Sequence, residues 1–146
     1  MLGADGSGVD AIVLRAGGTR HPITEDAVAR KWNRIQMRGA EVFKFAVRKM
    51  GEACGEALER AGLTSDDVDL FVPHQANVRI VMAAAERMGL PTEKVYVNVD
   101  RYGNTSAASI PIALAEAVAE GRVHHGDVLV FVGFGLVIWL GPWAPE

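Results

Sequence analysis

The spacing of apolar residues changes along this chain, and each change marks an element. Residues 9–14 are apolar and rich in β-branched side chains, and Gly17-Gly18 ends the run, so they predict a strand. Residues 19–40 hold no sustained period and read as a surface excursion punctuated by Pro22 and Gly39, with a short helix over 25–31. Over 41–61 the apolar positions Val42, Phe43, Ala46, Val47, Met50, Ala53, Cys54, Ala57, Leu58 and Ala61 recur every three or four residues. That spacing predicts a helix with one buried stripe, closed by Gly62 where positive φ is favoured. Residues 69–73 are nearly continuous in apolar character, as a strand covered on both faces should be. Residues 77–88 follow as a helix ending before Gly89, and 95–99 as a third strand. Residues 105–120 form a helix with Pro111 in its interior, which predicts a lost backbone hydrogen bond and a kink. Strands at 127–132 and 137–140, joined through Gly133-Phe134-Gly135, complete the pattern.

This alternation predicts an α/β layered fold with a mixed, mostly parallel five-stranded sheet whose last strand returns antiparallel. At 146 residues, 49% hydrophobic and 23% charged, the chain is expected to form one core, with residues 1–146 as a single domain. No stretch approaches the roughly 20 apolar residues of a spanning helix, and the first residues lack a basic start followed by an apolar run. The expectation is therefore a cytoplasmic protein with no membrane partner. The one cysteine, Cys54, cannot form an internal disulfide, and its place on the apolar stripe makes it a small hydrophobe rather than a nucleophile.

Net charge is −3, which argues against nucleic acid as a partner. Charge is nonetheless uneven: Arg30, Lys31, Arg34, Arg38, Lys44, Arg48 and Lys49 stand against the single acid Glu41. Such a cluster either meets an anionic partner or is a solvated face whose acids lie elsewhere in space.

Two stretches hold the candidate chemistry: Val72-Pro73-His74-Gln75-Ala76-Asn77-Val78-Arg79-Ile80 and Gly103-Asn104-Thr105-Ser106-Ala107-Ala108. In α/β sheets ligands sit outside the carboxyl ends of the strands, and His74, Asn104 and the glycine turn all fall there. Each has a plainer alternative. Asparagine is among the best helix N-caps, and a histidine beside a proline is more often structural or on the surface. His21, His124 and His125 take that plainer reading. No histidine pair has carboxylates or thiols at metal-ligand spacing, and neither Gly17-Gly18 nor Gly133-Phe134-Gly135 has a phosphate-loop pattern, so no metal site is expected.

Together with Met37-Arg38-Gly39-Ala40-Glu41-Val42-Phe43-Lys44 and the closing strand pair, these motifs resemble the C-terminal half of β-ketoacyl-acyl carrier protein synthase III, from about residue 3 to 141. The resemblance implies half of a thiolase-type α/β/α fold. It also implies an acyltransferase of fatty-acid chain initiation, which condenses an acyl group from acyl-coenzyme A with malonyl-acyl carrier protein. The family uses a Cys-His-Asn triad, and the match places its histidine at His74 and its asparagine at Asn104. Both would stabilise the thioester enolate, the oxyanion-hole logic applied to a decarboxylation. By the same resemblance Gly39, Phe43, Asn77 and Arg79 line the tunnel for the phosphopantetheine arm, and Arg38, Lys44 and Arg79 dock the acidic carrier protein. Coenzyme A enters as a substrate, and no bound cofactor is implied.

Two departures from the family pattern shape the expectation. The cysteine-bearing half does not match any part of these residues, so the chain alone is expected to be inactive in condensation. It would work as a homodimer or by pairing with an N-terminal half. The family also follows the Phe-Gly turn with further glycines, where this chain continues Leu136-Val137-Ile138-Trp139-Leu140-Gly141. A rival reading is a non-catalytic half-domain that acts only by association. A third is a relative with another acyl-transfer reaction, such as a thioester synthase of secondary metabolism.

Overall fold

The computed structural model describes residues 3, 5–8, 10–133 and 140–142. The contacts of the described residues fall into two compact units, divided between Phe45 and Ala46.

In the smaller unit β1 (Ile12–Leu14) pairs antiparallel with β2 (Ile35–Met37), Ile12 opposite Met37 and Leu14 opposite Ile35. The second strand lies inside the expected surface excursion; three residues are too few to show a period of two. Alternation puts Ile12, Leu14, Ile35 and Met37 on one face of this ribbon, and they are 52%, 56%, 73% and 61% exposed. Between the strands runs α1 (Glu25–Ala29), capped by Thr24, whose Oγ1 accepts from the Ala27 N–H at 3.1 Å. This helix stops short of the expected 25–31 because Lys31 takes a left-handed φ of 59°.

The long helix α2 (Gly39–Ala61) starts in the smaller unit and continues in the larger. Its expected stripe is buried at Ala46, Met50, Ala53, Cys54, Ala57 and Leu58, and Gly62 has the left-handed φ of 70° that a C-terminal glycine supplies.

The larger unit continues with β3 (Leu70–Pro73), α3 (Val78–Arg87), α4 (Val99–Tyr102), α5 (Ser109–Ala119), β4 (Val128–Val132) and β5 (Leu140–Pro142). Its sheet has the order β3-β4-β5. The first pair is parallel, with Leu70 opposite Leu129, and the second antiparallel, with Val130 opposite Leu140. Every residue of β3 is buried, so both faces of this strand are covered. On one face Leu70, Val72, Leu129 and Phe131 form a core with Tyr96 and with Ala113 and Ala117 of α5. Each large side chain so buried contributes about 1.5–3 kcal/mol, and the two alanines let the helix sit close to the sheet.

Further expectations change. Among the described residues the strands form sheets of three and two rather than one sheet of five. Residues 95–99 make one parallel bridge, Phe71 to Val95, and then turn into α4. The physical reason is that the next rung needs an N–H from residue 73, which is proline, and Gln75 takes the Tyr96 carbonyl and the Asn98 N–H instead. The helix expected over 105–120 is a 3₁₀ turn, Ser106–Ala108, followed by α5. Pro111 is thus the third residue of α5, where backbone N–H groups have no intrahelical partner anyway, so its position alone calls for no kink. The returning strand is antiparallel as expected, with the described pairing at 140–142. The Phe134-Gly135 turn, residues 136–139 and Val9 lie outside the described residues.

Among the described residues no helix is long and apolar enough to cross a membrane, and no group of His, Cys, Asp and Glu is arranged to hold a metal ion.

Candidate active site

His74 is placed by the sheet. Its backbone N–H donates to the Val132 carbonyl at 2.7 Å, carrying the β3–β4 ladder one residue past the end of β3. The side chain is half-buried, and burial pushes the imidazole below the usual histidine range, toward the neutral form. Its Nδ1 lies 2.6 Å from Ser109 Oγ, and the same oxygen accepts the Gln75 backbone N–H at 3.3 Å. Ser109 is 2% exposed and opens α5, on the same stripe as the buried Ala113 and Ala117.

Gln75, 1% exposed, holds the next layer. Its Nε2 donates to the Pro73 carbonyl at 2.9 Å and the Tyr96 carbonyl at 3.1 Å, and its Oε1 accepts the Asn98 N–H at 3.0 Å. Asn98 in turn donates through Nδ2 to Glu116 on α5 at 2.7 Å. Glu116 also accepts from Arg101 at 2.9 Å and from the Tyr102 hydroxyl. The Asn98 bond is the largest of several contacts that hold the Glu116 carboxyl below the usual carboxylate range. The segment leading into the Asn104 motif is therefore tied at its start to β3 and at α4 to α5.

Asn104 follows Gly103, whose φ of 67° belongs to the left-handed region. Its Oδ1 accepts the Ser106 N–H at 2.9 Å, and Ser106 itself has a φ of 54°. A backbone N–H can only donate, so the oxygen end of this amide faces the turn and the NH₂ end is left to donate elsewhere. Asn104 is exposed, and no hydrogen bond joins it to His74 among the described residues. Asn77 repeats the arrangement as N-cap of α3, its Oδ1 accepting the Arg79 N–H at 2.8 Å.

The other expected residues divide between the units. Asn77 and Arg79 belong to the larger, as do His74 and Asn104; Arg38, Gly39, Phe43 and Lys44 stand together in the smaller, at the start of α2. Much of the basic cluster is neutralised locally. Arg30 pairs with Asp26 at 2.9 Å, Arg38 with Glu41 at 3.1 Å, Arg48 with Glu52 at 3.2 Å and Lys49 with Glu52 at 2.9 Å. Among the described residues Lys31, Arg34 and Lys44 make no ion pair. Cys54 is fully buried and its thiol is pushed up to about 12 by that burial, consistent with a packing role.

Sequence reasoning missed Ser109, Gln75, Asn98 and Glu116. A signal existed for the first: a serine four and eight residues before Ala113 and Ala117 is a polar residue on an apolar stripe, and such a residue needs a partner.

Comparison with known proteins agrees with this architecture. A family model described as 3-oxoacyl-[acyl-carrier-protein (ACP)] synthase III C terminal matches residues 58–139. The chain is 56% identical over 134 residues to β-ketoacyl-[acyl-carrier-protein] synthase III of Desulfitobacterium hafniense, covering 92% of this chain and 40% of that protein. It is 55% identical over 140 residues to the protein of the same name from Symbiobacterium thermophilum, covering 95% and 42%. The crystal structure of β-ketoacyl-[acyl carrier protein] synthase III from Thermus thermophilus superposes with a TM-score of 0.76 at 53% identity, over 91% of this chain and 40% of that one. The chain thus spans about 40% of the length of these relatives.

Proposed function

Because the chain belongs to the 3-oxoacyl-[acyl-carrier-protein] synthase III family and has the C-terminal part of its thiolase-type α/β fold, we propose that it supplies the carbanion-forming half of a decarboxylative condensation. The reaction would initiate fatty-acid chains. In a malonyl thioester the bond between the α-carbon and the carboxylate breaks, carbon dioxide leaves, and the electron pair becomes an enolate whose charge rests on the thioester oxygen. The α-carbon then attacks an acyl thioester held on a cysteine, a carbon–carbon bond forms, and the thiolate departs. His74 and Asn104 serve the first of these steps by donating hydrogen bonds to the developing oxyanion.

The observation that carries this reading is the Asn104 amide. Its oxygen is engaged by the Ser106 N–H, so what it offers a ligand is a donor. His74, held toward the neutral form by burial, is the second donor and does not bring a full positive charge into a half-buried site. Asn77 offers its NH₂ in the same way to the carbonyl and phosphate oxygens of a phosphopantetheine arm, beside Arg79; Gly39 and Phe43, in the smaller unit, keep the tunnel-lining role that the family resemblance gives them. Arg38 and Lys44 of the smaller unit, and Arg79 of the larger, would each meet acyl carrier protein; among the described residues Lys44 makes no ion pair. Acyl-coenzyme A is the acyl donor in this reading.

The covalent step is assigned to a cysteine outside these residues, since Cys54 is buried and protonated. The exposed ribbon face of Ile12, Leu14, Ile35 and Met37 supports association with the segment that bears it, or with a second copy. The same face is what a purely associating, non-catalytic half-domain would use.

Release of carbon dioxide from malonyl-carrier protein tests the proposal. The chain is assayed alone and mixed with the part of the Desulfitobacterium relative that this chain does not cover. Release is expected from the mixture, and His74→Ala or Asn104→Ala should lower it by about 10²–10³-fold. Full release by both variants would overturn the assignment, and no release from any mixture would favour the associating half-domain.

A further inference from the structure

The two hydrogen bonds at Ser109 Oγ are chemically different. The Gln75 backbone N–H can only donate, so at 3.3 Å it occupies a lone pair of the hydroxyl oxygen. The hydroxyl keeps one proton of its own, and the other polar atom bonded to it is His74 Nδ1, at 2.6 Å. With Ser109 2% exposed, water is a poor alternative acceptor. If Nδ1 carried the ring proton, two donors would converge on the serine oxygen, and its own proton would be left buried without an acceptor. The pairing that satisfies every atom has the serine donating to an unprotonated Nδ1. A neutral imidazole has a single N–H, which then sits on Nε2.

We propose that Ser109 is a positioning residue that holds His74 in the Nε2–H tautomer, turning its one ring proton away from the protein and toward the site. This rests on the reading of His74 as an oxyanion donor, because only that role requires a proton at the outward nitrogen.

The surroundings are built for a fixed bond. Gln75 presents its backbone N–H to Ser109 while its side chain grips the Pro73 and Tyr96 carbonyls and the Asn98 N–H, so the strap that engages the serine is held by its own residue. His74 is anchored by its backbone bond to Val132 at 2.7 Å. Ser109 starts α5, whose Ala113 and Ala117 are packed in the core with β3 and β4. The hydroxyl and the imidazole are thus carried by two elements that cannot shift independently. Burial also disfavours the imidazolium, the one form in which Nδ1 would have to donate.

Nitrogen NMR of the full chain tests the tautomer without any assay of turnover. The chain is labelled with ¹⁵N-histidine, and a long-range ¹H–¹⁵N correlation is recorded at about pH 8, where an unperturbed imidazole is neutral. The His74 signals are those missing from His74→Gln. The parent should show a protonated Nε2 and a pyridine-like Nδ1. Ser109→Ala should move both nitrogens toward the averaged shifts of a free imidazole, and Ser109→Thr, which keeps the hydroxyl, should restore the parent pattern. An Nδ1–H ring in the parent overturns the inference even if Ser109→Ala fails to fold, and so does an unchanged Nε2–H ring in a folded Ser109→Ala. In the reconstituted mixture Ser109→Ala should lower kcat by about tenfold with little change in KM, and Ser109→Thr should recover it. If instead His74→Ala keeps full activity while the parent ring is Nε2–H, the functional reading fails and the tautomer assignment stands.

Discussion

Asn104 does two things with one side chain: its oxygen closes a turn on the Ser106 N–H, and its NH₂ remains for a ligand. Substitutions can separate the two. Asn104→Asp keeps the acceptor and loses the donor, so stability should change by no more than about 0.5 kcal/mol, while carbon dioxide release in the reconstituted mixture falls by about 10²-fold or more. Equal losses of stability and turnover would mean that the residue is only a cap. Cys54 is the opposite case, a reactive residue type without a reactive setting. With its thiol pushed up to about 12 by burial, very little of it is thiolate near neutral pH. Alkylation by iodoacetamide should therefore follow global unfolding, rising steeply with urea; rapid labelling of the native chain would contradict this burial. Both residues were readable in part from sequence, Cys54 from its place on the stripe and Asn104 from its motif. The direction of the Asn104 amide was not, because it depends on which backbone proton the turn presents.

Among the elements, the connection from β3 to α5 departs most from a reading by period. Val95, Tyr96 and Val97 have the composition of a strand, yet among the described residues the segment pairs only through Val95, because Pro73 has no N–H for the next rung and Gln75 occupies the backbone groups beyond it. Gln75→Leu should show what that side chain holds. It leaves the Pro73 and Tyr96 carbonyls and the Asn98 N–H without their partner, so a loss of about 2–4 kcal/mol is expected in denaturant unfolding. A loss below about 1 kcal/mol would mean that solvent replaces the bonds. The helices were more legible, since 23 residues of α2 show a period of 3.6 many times over, whereas the three residues of β2 cannot show a period of two. Charge was legible only as composition. Asp26 and Glu52 lie outside the basic window in sequence but one helical turn from Arg30 and Arg48, and neutralise them there.

At the scale of the whole molecule, pH and association are the tests. The His74 ring titrates below its ordinary range in the folded chain and near about 6.5 when unfolded. Between those values the unfolded state binds a proton that the folded state does not. This contribution to stability is therefore complete above about pH 6.5 and is lost as pH falls below it. Urea midpoints at about pH 8 and about pH 5.5 should differ more for the parent than for His74→Gln; carboxylates such as Glu116, held low in the folded chain, weaken it mainly nearer about pH 4. An equal difference in both proteins would refute the assignment to His74. The exposed ribbon face predicts self-association of the isolated chain, and Leu14→Asp with Ile35→Asp should shift sedimentation toward the monomer. By itself the sequence determined the order of most helices and strands, the buried stripe of α2 and the His74 motif at a strand end, because periodicity and turn residues are local properties. Only the tertiary structure decided that Ser109 meets His74 across 35 positions and that Glu116 meets Asn98 across 18. A proton finds its lone pair through the stacking of helix on sheet, and spacing along the chain does not encode that meeting.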